Sequence, residues 1–338
     1  MRVLVTGGTG FVGSWAALAF VDAGHDVRLL VRDADKARRV FAAHGAEPPE
    51  LVVGTITDAA AVGRALDGCD AVLHAAAQVG VSDGTADSHD VNVAGVQVVV
   101  GEAVERGLDP ILYTSSVATL YPAREPMLTT SSPLGDPGGS YGRSKVAAER
   151  WVQERQASGA PITSLVLGGV VGPRQPTIDS AMRGIVAAAT QVMVVPPGGV
   201  GVLDVRDVAA ALTAALEPGR GPRRYLAGGP FLRWGPWTDL LGTVLGRRLR
   251  RVRTPGPVLT GLGRTLEAVA RIRPVDFPMN YEAALSMTSA VPTNDAVTLA
   301  ELGVAWRDPA DALRDASRWL LEVGELRPEH APALAAGG

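Results

Sequence analysis

Apolar positions in this chain come in short unbroken blocks, each followed by a longer stretch with helical spacing. Val3, Leu4 and Val5 form the first block, the pattern of a parallel strand covered on both faces. Four glycines follow at 7, 8, 10 and 13, and then the helix-like run FVGSWAALAFVDAG. After the turn Ala23-Gly24-His25, DVRLLV (26 to 31) reads as a second strand. Arg32 and Asp33 follow it, and an Ala/Arg/Lys-rich helix runs from about Asp35 to Ala43. Leu51 to Val53 is a third strand, and Thr57 or Asp58 can cap the helix AAAVGRAL behind it. CDAVLHAAA (69 to 77) and PILYTSS (110 to 116) are the fourth and fifth strands, with a long helix from roughly Ser88 to Arg106 between them. Tyr141 to Ala157 is helical again, and ITSLVLGGVVGP (162 to 173) is a sixth strand with its turn.

Strands alternating with helices from the start predict an α/β fold, a Rossmann-type doubly wound parallel sheet with a smaller C-terminal substrate lobe. Residues 1–175 are expected to form the dinucleotide-binding domain, with 200–229 returning to it. VGVLDVRDVAAALTAAL (200 to 216) reads as a strand entering a helix, and RRYLAGG as another strand. Residues 176–199 and 230–325 are assigned to the lobe. Its pieces between about Phe231 and Pro292, with Trp234, Trp237, Phe277 and Tyr281, have no strong period. A last helix is expected from roughly Pro309 to Leu321, and 326–338 as a tail, frayed from Ala331 onward.

Composition narrows the function classes. Of 338 residues 46% are hydrophobic, enough for a substantial core and about two domains. A net charge of −3 gives no electrostatic case for nucleic acid or an anionic membrane. The run Arg247, Arg248, Arg250, Arg251 and Arg253 is the local exception, read as a solvated strand or loop edge. A single cysteine, Cys69, excludes an intramolecular disulfide and fits a cytoplasmic setting. No apolar run reaches the length of a membrane span, and no secretory signal precedes the first strand. Five scattered histidines and one cysteine offer no metal-ligand spacing. A small-molecule substrate is therefore the expected partner, with a homodimer left open.

Gly8, Gly10 and Gly13 satisfy G-x-G-x-x-G, and Gly7, Gly10 and Gly13 a G-x-x-G-x-x-G reading. The chain there must turn sharply and bring its backbone close to a pyrophosphate, which then sits at the positive end of a helix. The strand before and the helix after supply the context the motif requires. Further on, Tyr141-Gly-Arg-Ser-Lys145 opens a helix, and four-residue spacing stacks Tyr141 and Lys145 on one face. A phenol titrates at about 10 when unperturbed, and a neighbouring ammonium brings it toward neutrality, where it can exchange a proton.

Taken together, TGGTGFVG, HAAA at 74 to 77, TSS at 114 to 116, YGRSK at 141 to 145 and LDVRDVA at 203 to 209 resemble the extended short-chain dehydrogenases/reductases, in that family's order. The likeness covers about residues 2 to 215 and is nearest the dihydroflavonol 4-reductase and 3β-hydroxysteroid dehydrogenase branch. It implies that Tyr141 is the proton donor or acceptor, and that Lys145 lowers its pKa while bonding the nicotinamide ribose. It implies Ser116 as the hydroxyl that polarises a substrate carbonyl, with Ser115 as fallback. Asn92 matches the asparagine that supports a water link to the lysine; a solvent-facing polar residue is the alternative. The dinucleotide would rest on Gly7, Thr9, Gly10, Phe11, Val12 and Gly13. Ala75, Ala76, Ala77 and Thr114 would line it, with Leu167, Gly168 and Val170 beyond.

Two departures bear on specificity. Where the family often has an adenine-binding aspartate this chain has Thr55, leaving the Ile56 backbone as a contact and Asp58 as a helix cap. Where sugar-nucleotide enzymes of the family commonly carry a diphosphate-gripping arginine, this chain has Val200-Gly201. Arg32 ends the second strand where an NAD-specific fold places a carboxylate. It is expected to hold a 2′-phosphate, with Lys36 or Arg28 as helper; in the alternative Arg32 is solvated and Asp33 takes the ribose hydroxyl. NADP(H) is thus the expected cofactor and NAD(H) the alternative. His74, Cys69 and the tryptophans are read as packing residues. An NADP(H)-dependent enzyme interconverting a ketone and a secondary alcohol on a moderately sized apolar or aromatic substrate is the leading expectation. An NAD-dependent sugar-nucleotide epimerase or dehydratase is second, and a non-catalytic dinucleotide sensor third.

Overall fold

The computed structural model describes residues 1–77, 87–137, 139–270 and 281–335; Phe277 lies outside them. Seven strands form one parallel sheet: β1 (Arg2–Thr6), β2 (Asp26–Val31), β3 (Glu50–Val53), β4 (Ala71–His74), β5 (Ile111–Ser116), β6 (Ile162–Leu167) and β10 (Arg223–Ala227). Their order is β10-β6-β5-β4-β1-β2-β3. The chain winds outward from β1 in one direction and then returns to continue from β4 in the other. The reversal between β1 and β4 opens the crevice in which such sheets bind ligands.

Both faces are covered, which is why the strands read as continuous apolar runs. Val3, Val5, Leu29, Val31, Leu73, Leu112 and Leu165 face α1 (Phe11–Asp22), α2 (Ala34–Ala43) and α7 (Val205–Ala214). Leu4, Leu30, Val72, Ile111, Tyr113 and Ile162 face α3 (Ala59–Leu66), α4 (Asp87–Glu105) and α5 (Ser140–Ala157). Burying a side chain of this size contributes roughly 1.5–3 kcal/mol, so the two layers hold the loops at the strand ends firmly.

A second unit covers the strand ends. Strands β7 (Gly169–Val171), β9 (Gly199–Asp204) and β11 (Phe231–Arg233) form a three-stranded sheet, and β8 (Met193–Val195) pairs in parallel with β12 (Arg251–Arg253). Around them lie α6 (Ser180–Thr190), α8 (Trp234–Leu245), α9 (Gly256–Ala270), α10 (Tyr281–Ser289), α12 (Pro309–Glu322) and α13 (Pro332–Ala335), while α11 (Ala296–Leu302) packs back on β10 of the large sheet. Met182, Ile185, Trp237, Leu241, Leu245, Leu313 and Leu320 make its core.

Three local differences from the sequence pattern have physical causes. The expected sixth strand divides at Gly168, with β6 in the large sheet and β7 in the small one. A Cβ on Gly168 would sit 2.4 Å from the Gly228 carbonyl oxygen, and one on Gly201 2.0 Å from the same atom. Backbones meet there, and only glycine permits it. Of the span 200–229, β10 joins the large sheet while β9 stays in the small one. Residues 326–335, expected as a tail, are packed: Leu326 and Ala331 are buried in the lobe core, because α13 closes against the end of α8 at Gly246. No described helix is long and apolar enough to cross a membrane.

Candidate functional site

The loop after β1 is built by close backbone approach. Gly7 has φ +78°, and a Cβ there would lie 2.6 Å from the carbonyl carbon of Ala75 and from the nitrogen of Ala76. A Cβ on Gly13 would lie 2.2 Å from the Gly7 carbonyl oxygen, and Gly10 donates its N–H to that same oxygen at 2.8 Å. The loop therefore lies flat against Ala75 and Ala76 at the end of β4. Gly10 caps α1 without any side chain on its first N–H groups. An open helix terminus beside a glycine cradle fits a dinucleotide pyrophosphate. Phe11 and Val12 are half-buried in the first turn of α1, with Val12 packed on the core, and Thr9 is half-exposed.

At the end of β2 the candidate residues separate. Arg32 is exposed and makes no hydrogen bond or ion pair with the described residues. Asp33 is occupied: its Oδ1 accepts from the backbone N–H of Asp35 at 2.8 Å and of Lys36 at 2.9 Å, capping α2. The bond from Lys36 first, then that from Asp35, holds the carboxyl below the usual range. Arg28, expected as a helper, faces elsewhere. It is buried, donates to the carbonyls of Ala65 and Asp67, and pairs with Glu50 at 3.0 Å. Arg28 sits mid-strand against the end of α3, whereas Arg32 lies past the end of β2 at Val31. Asp58 caps α3 through Ala60 and Ala61, the Thr55 hydroxyl lies 3.3 Å from that of Thr57 while the Thr55 carbonyl accepts from the Asp58 N–H, and Ile56 packs on Gly95.

The proton-handling candidates meet where α5 crosses the end of β5. Lys145 is 5% exposed, and its Nζ donates to the Thr114 carbonyl oxygen at 3.0 Å while lying 5.1 Å from the Tyr113 ring centroid. Burial brings it down to about 8, and Glu149 works in the opposite direction. Tyr141 stands one turn earlier, half-exposed, and its backbone carbonyl accepts from Ser144 Oγ at 2.8 Å. Asn92 is buried, so the solvent-facing alternative fails. Its Nδ2 donates to Ser144 Oγ at 3.3 Å, joining α4 to the turn that carries Tyr141 and Lys145. Ser116 Oγ accepts from the Ala118 N–H at 3.2 Å, which leaves its own proton free to donate. Ser115 is 3% exposed, its hydroxyl turned toward that of Tyr113 without a well-formed hydrogen bond.

Leu167 closes β6, Gly168 follows it, and half-buried Val170 packs on the core at the lobe junction. Val200 packs with the lobe core. In the arginine run, Arg251 pairs with Asp239 at 2.8 Å and Arg247 reaches the Glu329 carbonyl, as a solvated edge would.

Two buried carboxylates near the site escape a reading by motif. Asp295, ahead of α11, accepts from the backbone N–H of Gly228 and Gly229 and from Trp306 Nε1, tying the end of β10 to the segments on either side of α11. Glu149, one turn past Lys145, is fully buried and pairs with Arg224 at 3.2 Å. The i, i+4 spacing from Lys145 is a signal that could have found Glu149; nothing local marks Asp295.

Comparison with known proteins bears on the family and the fold. The model of the NAD dependent epimerase/dehydratase family matches residues 3–228. Sterol demethylase protein B of Methylococcus capsulatus is 27% identical over 335 residues, covering 96% of this chain and all of that one. A ketoreductase of Stigmatella aurantiaca, named for a farnesylated quinoline oxide, is 34% identical over 170 residues, covering 49% of each chain. Among solved structures, gox2253 superposes with a TM-score of 0.81 at 26% identity, covering 96% of this chain and 99% of that one.

Proposed function

The chain belongs to the NAD dependent epimerase/dehydratase family and is an NAD(P)-dependent oxidoreductase, and from that premise we propose that it interconverts a ketone and a secondary alcohol with NADP(H). The observation that carries the reading is the bond from Lys145 Nζ to the Thr114 carbonyl. It holds the first turn of α5, with Tyr141, against the strand end that carries Ser116. In this reading Ser116 donates a hydrogen bond to the carbonyl oxygen, and Tyr141 passes its phenolic proton to that oxygen as the alcohol forms. Lys145 holds positive charge beside the phenol and favours its ionised form. Gly7, Gly10, Gly13 and Ala75 to Ala77 would hold the dinucleotide, which would supply hydride chemistry through its nicotinamide when bound.

Cofactor preference rests on Arg32, whose guanidinium is free while Asp33 is engaged in its cap. A planar fork of donors that stays charged matches a 2′-phosphate. For the substrate, the packing of Val200 in the lobe core argues for a moderately sized apolar or aromatic carbonyl compound rather than a sugar nucleotide. The names of the two curated relatives, a sterol protein and a ketoreductase, point the same way.

The test follows NADPH absorbance with a panel of aromatic and alicyclic ketones, on wild type and Tyr141→Phe. General acid–base contributions of roughly a hundredfold to ten-thousandfold are usual, so the variant should lose at least a hundredfold while still binding cofactor. A loss under tenfold overturns the assignment. Micromolar binding of uridine diphosphate would overturn the substrate class and favour a sugar-nucleotide epimerase.

A further inference from the structure

In-register pairing sets Thr6 beside His74, His74 beside Tyr113, Tyr113 beside Ser164, and Ser164 beside Arg224. Neighbours in register point to the same face of a sheet, so five polar side chains form one row across five strands. Two residues earlier on that face the row is Leu4, Val72, Ile111 and Ile162, wholly apolar. Thr6, His74 and Ser164 are fully buried and Tyr113 is 1% exposed. Helix α5 lies over the row and lowers two charges onto it, Lys145 and, one turn on, Glu149.

The charges form a sequence. Arg224 Nε stands 3.2 Å from Glu149 Oε1, and Arg224 Nη1 is fixed by the carbonyls of Thr130 and Ser132, each at 3.1 Å. Glu149 Oε2 is buried and unbonded, as are the Tyr113 hydroxyl, Ser164 Oγ and His74 Nε2. Lys145 lies against the Tyr113 ring, and its charge is felt at His74 of β4. Among the described side chains the groups facing it are His74 from β4, Tyr113 from β5, and Tyr141 and Glu149 from its own helix. Arg224 of β10 lies behind Glu149, and α4 contributes neutral Asn92 through Ser144. Of these, Glu149 is the carboxylate, and an ammonium out of water needs one.

We propose that Glu149, anchored by Arg224 on the edge strand, is the positioning residue that keeps Lys145 an ammonium beneath Tyr141. The inference rests on the reading of Lys145 as the partner of Tyr141, but the charge state of Lys145 can be measured without turnover. Burial alone drives a lysine toward its neutral amine, and the interior here is otherwise apolar or neutral. At an i, i+4 separation of about 6 Å a carboxylate offsets that drive by the equivalent of about one to two pH units. Arg224 holds the Glu149 carboxylate in place, at the expense of part of its field at Lys145.

The chain contains two lysines, Lys36 and Lys145. With lysine labelled at 13Cε, NMR therefore gives two titrating signals, which Lys36→Arg assigns. In wild type Lys145 should titrate near 8 and Lys36 serves as internal control. In Glu149→Gln the Lys145 midpoint should fall by at least one unit, a tenfold or greater change in acidity, with Lys36 unmoved. The pH profile of kcat/KM should move with it, whereas a merely structural defect lowers activity at every pH alike. Should the single variant fold poorly because Arg224 is left unpaired, Glu149→Gln/Arg224→Met removes both charges, and the Lys145 midpoint should fall in the same direction by less, since the opposing field of Arg224 goes too. A Lys145 midpoint within about 0.3 units of wild type in whichever variant folds, or one near 10.5 in wild type, overturns the inference. A shifted midpoint together with a fully active Tyr141→Phe leaves the inference standing and discards the catalytic reading; the converse result does the opposite.

Discussion

Acid should destabilise this fold through His74. The imidazole is fully buried, its Nδ1 lies 2.8 Å from Thr6 Oγ1, its Nε2 has no bond, and its ring stacks on Tyr113 at 6.2 Å. Burial, and secondarily the charge of Lys145, push it down to about 3. An unfolded histidine titrates near 6.5, so the folded-state value is depressed. The native protein therefore has its full stability above about pH 6.5 and loses it as pH falls, because the unfolded chain takes up a proton that the native state refuses. The slope is about 1.4 kcal/mol per pH unit in that window. Between about pH 7.5 and pH 5 the loss from this one residue comes to about 2 kcal/mol. The assay is urea unfolding at both pH values on wild type and on His74→Asn, which keeps a polar group opposite Thr6. Other histidines, including half-buried His44, which is lowered to about 4, titrate alike in both proteins and cancel in the difference. Wild type should lose about 2 kcal/mol more than the variant on acidification. Parallel losses, or a His74 imidazole seen by NMR to titrate near 6.5, would refute the reasoning.

Two further predictions concern the cofactor cradle. Arg32→Ala should weaken NADPH binding ten- to hundredfold, as one charge-assisted pair of roughly 1.5–3 kcal/mol implies, and leave NADH unchanged; equal loss of both would show that Arg32 does not read the phosphate. Gly13→Ala puts a Cβ 2.2 Å from the Gly7 carbonyl oxygen, so the loop must shift; calorimetry should find cofactor affinity reduced at least tenfold and unfolding easier by about 1–3 kcal/mol, and unchanged values would mean the loop yields freely.

What could be read from the residues alone was local. Unbroken apolar runs marked parallel strands because both sheet faces are covered, and the glycine motif marked a close backbone approach that a side chain at Gly7 or Gly13 would block. The Tyr141–Lys145 spacing followed from helical geometry, and Asp58 was legible as a cap. The lobe was not legible: α8 and α9 carry glycine and proline within their span, which read locally as turns. Nor was the burial of Ala331, which depends on α13 meeting α8. Arg28 and Arg32 are the same residue type four positions apart and so share a parity; Arg28 is buried mid-strand over α3, whereas Arg32 lies past the end of β2 and is exposed. The polar row beneath α5 belongs wholly to the tertiary structure. Thr6, His74, Tyr113, Ser164 and Arg224 are spread over more than two hundred positions, and register across five strands brings them to one line under Lys145 and Glu149. Periodicity reports which face a side chain takes within its own element, whereas a buried charge finds its counter-ion through the packing of elements that no local pattern encodes.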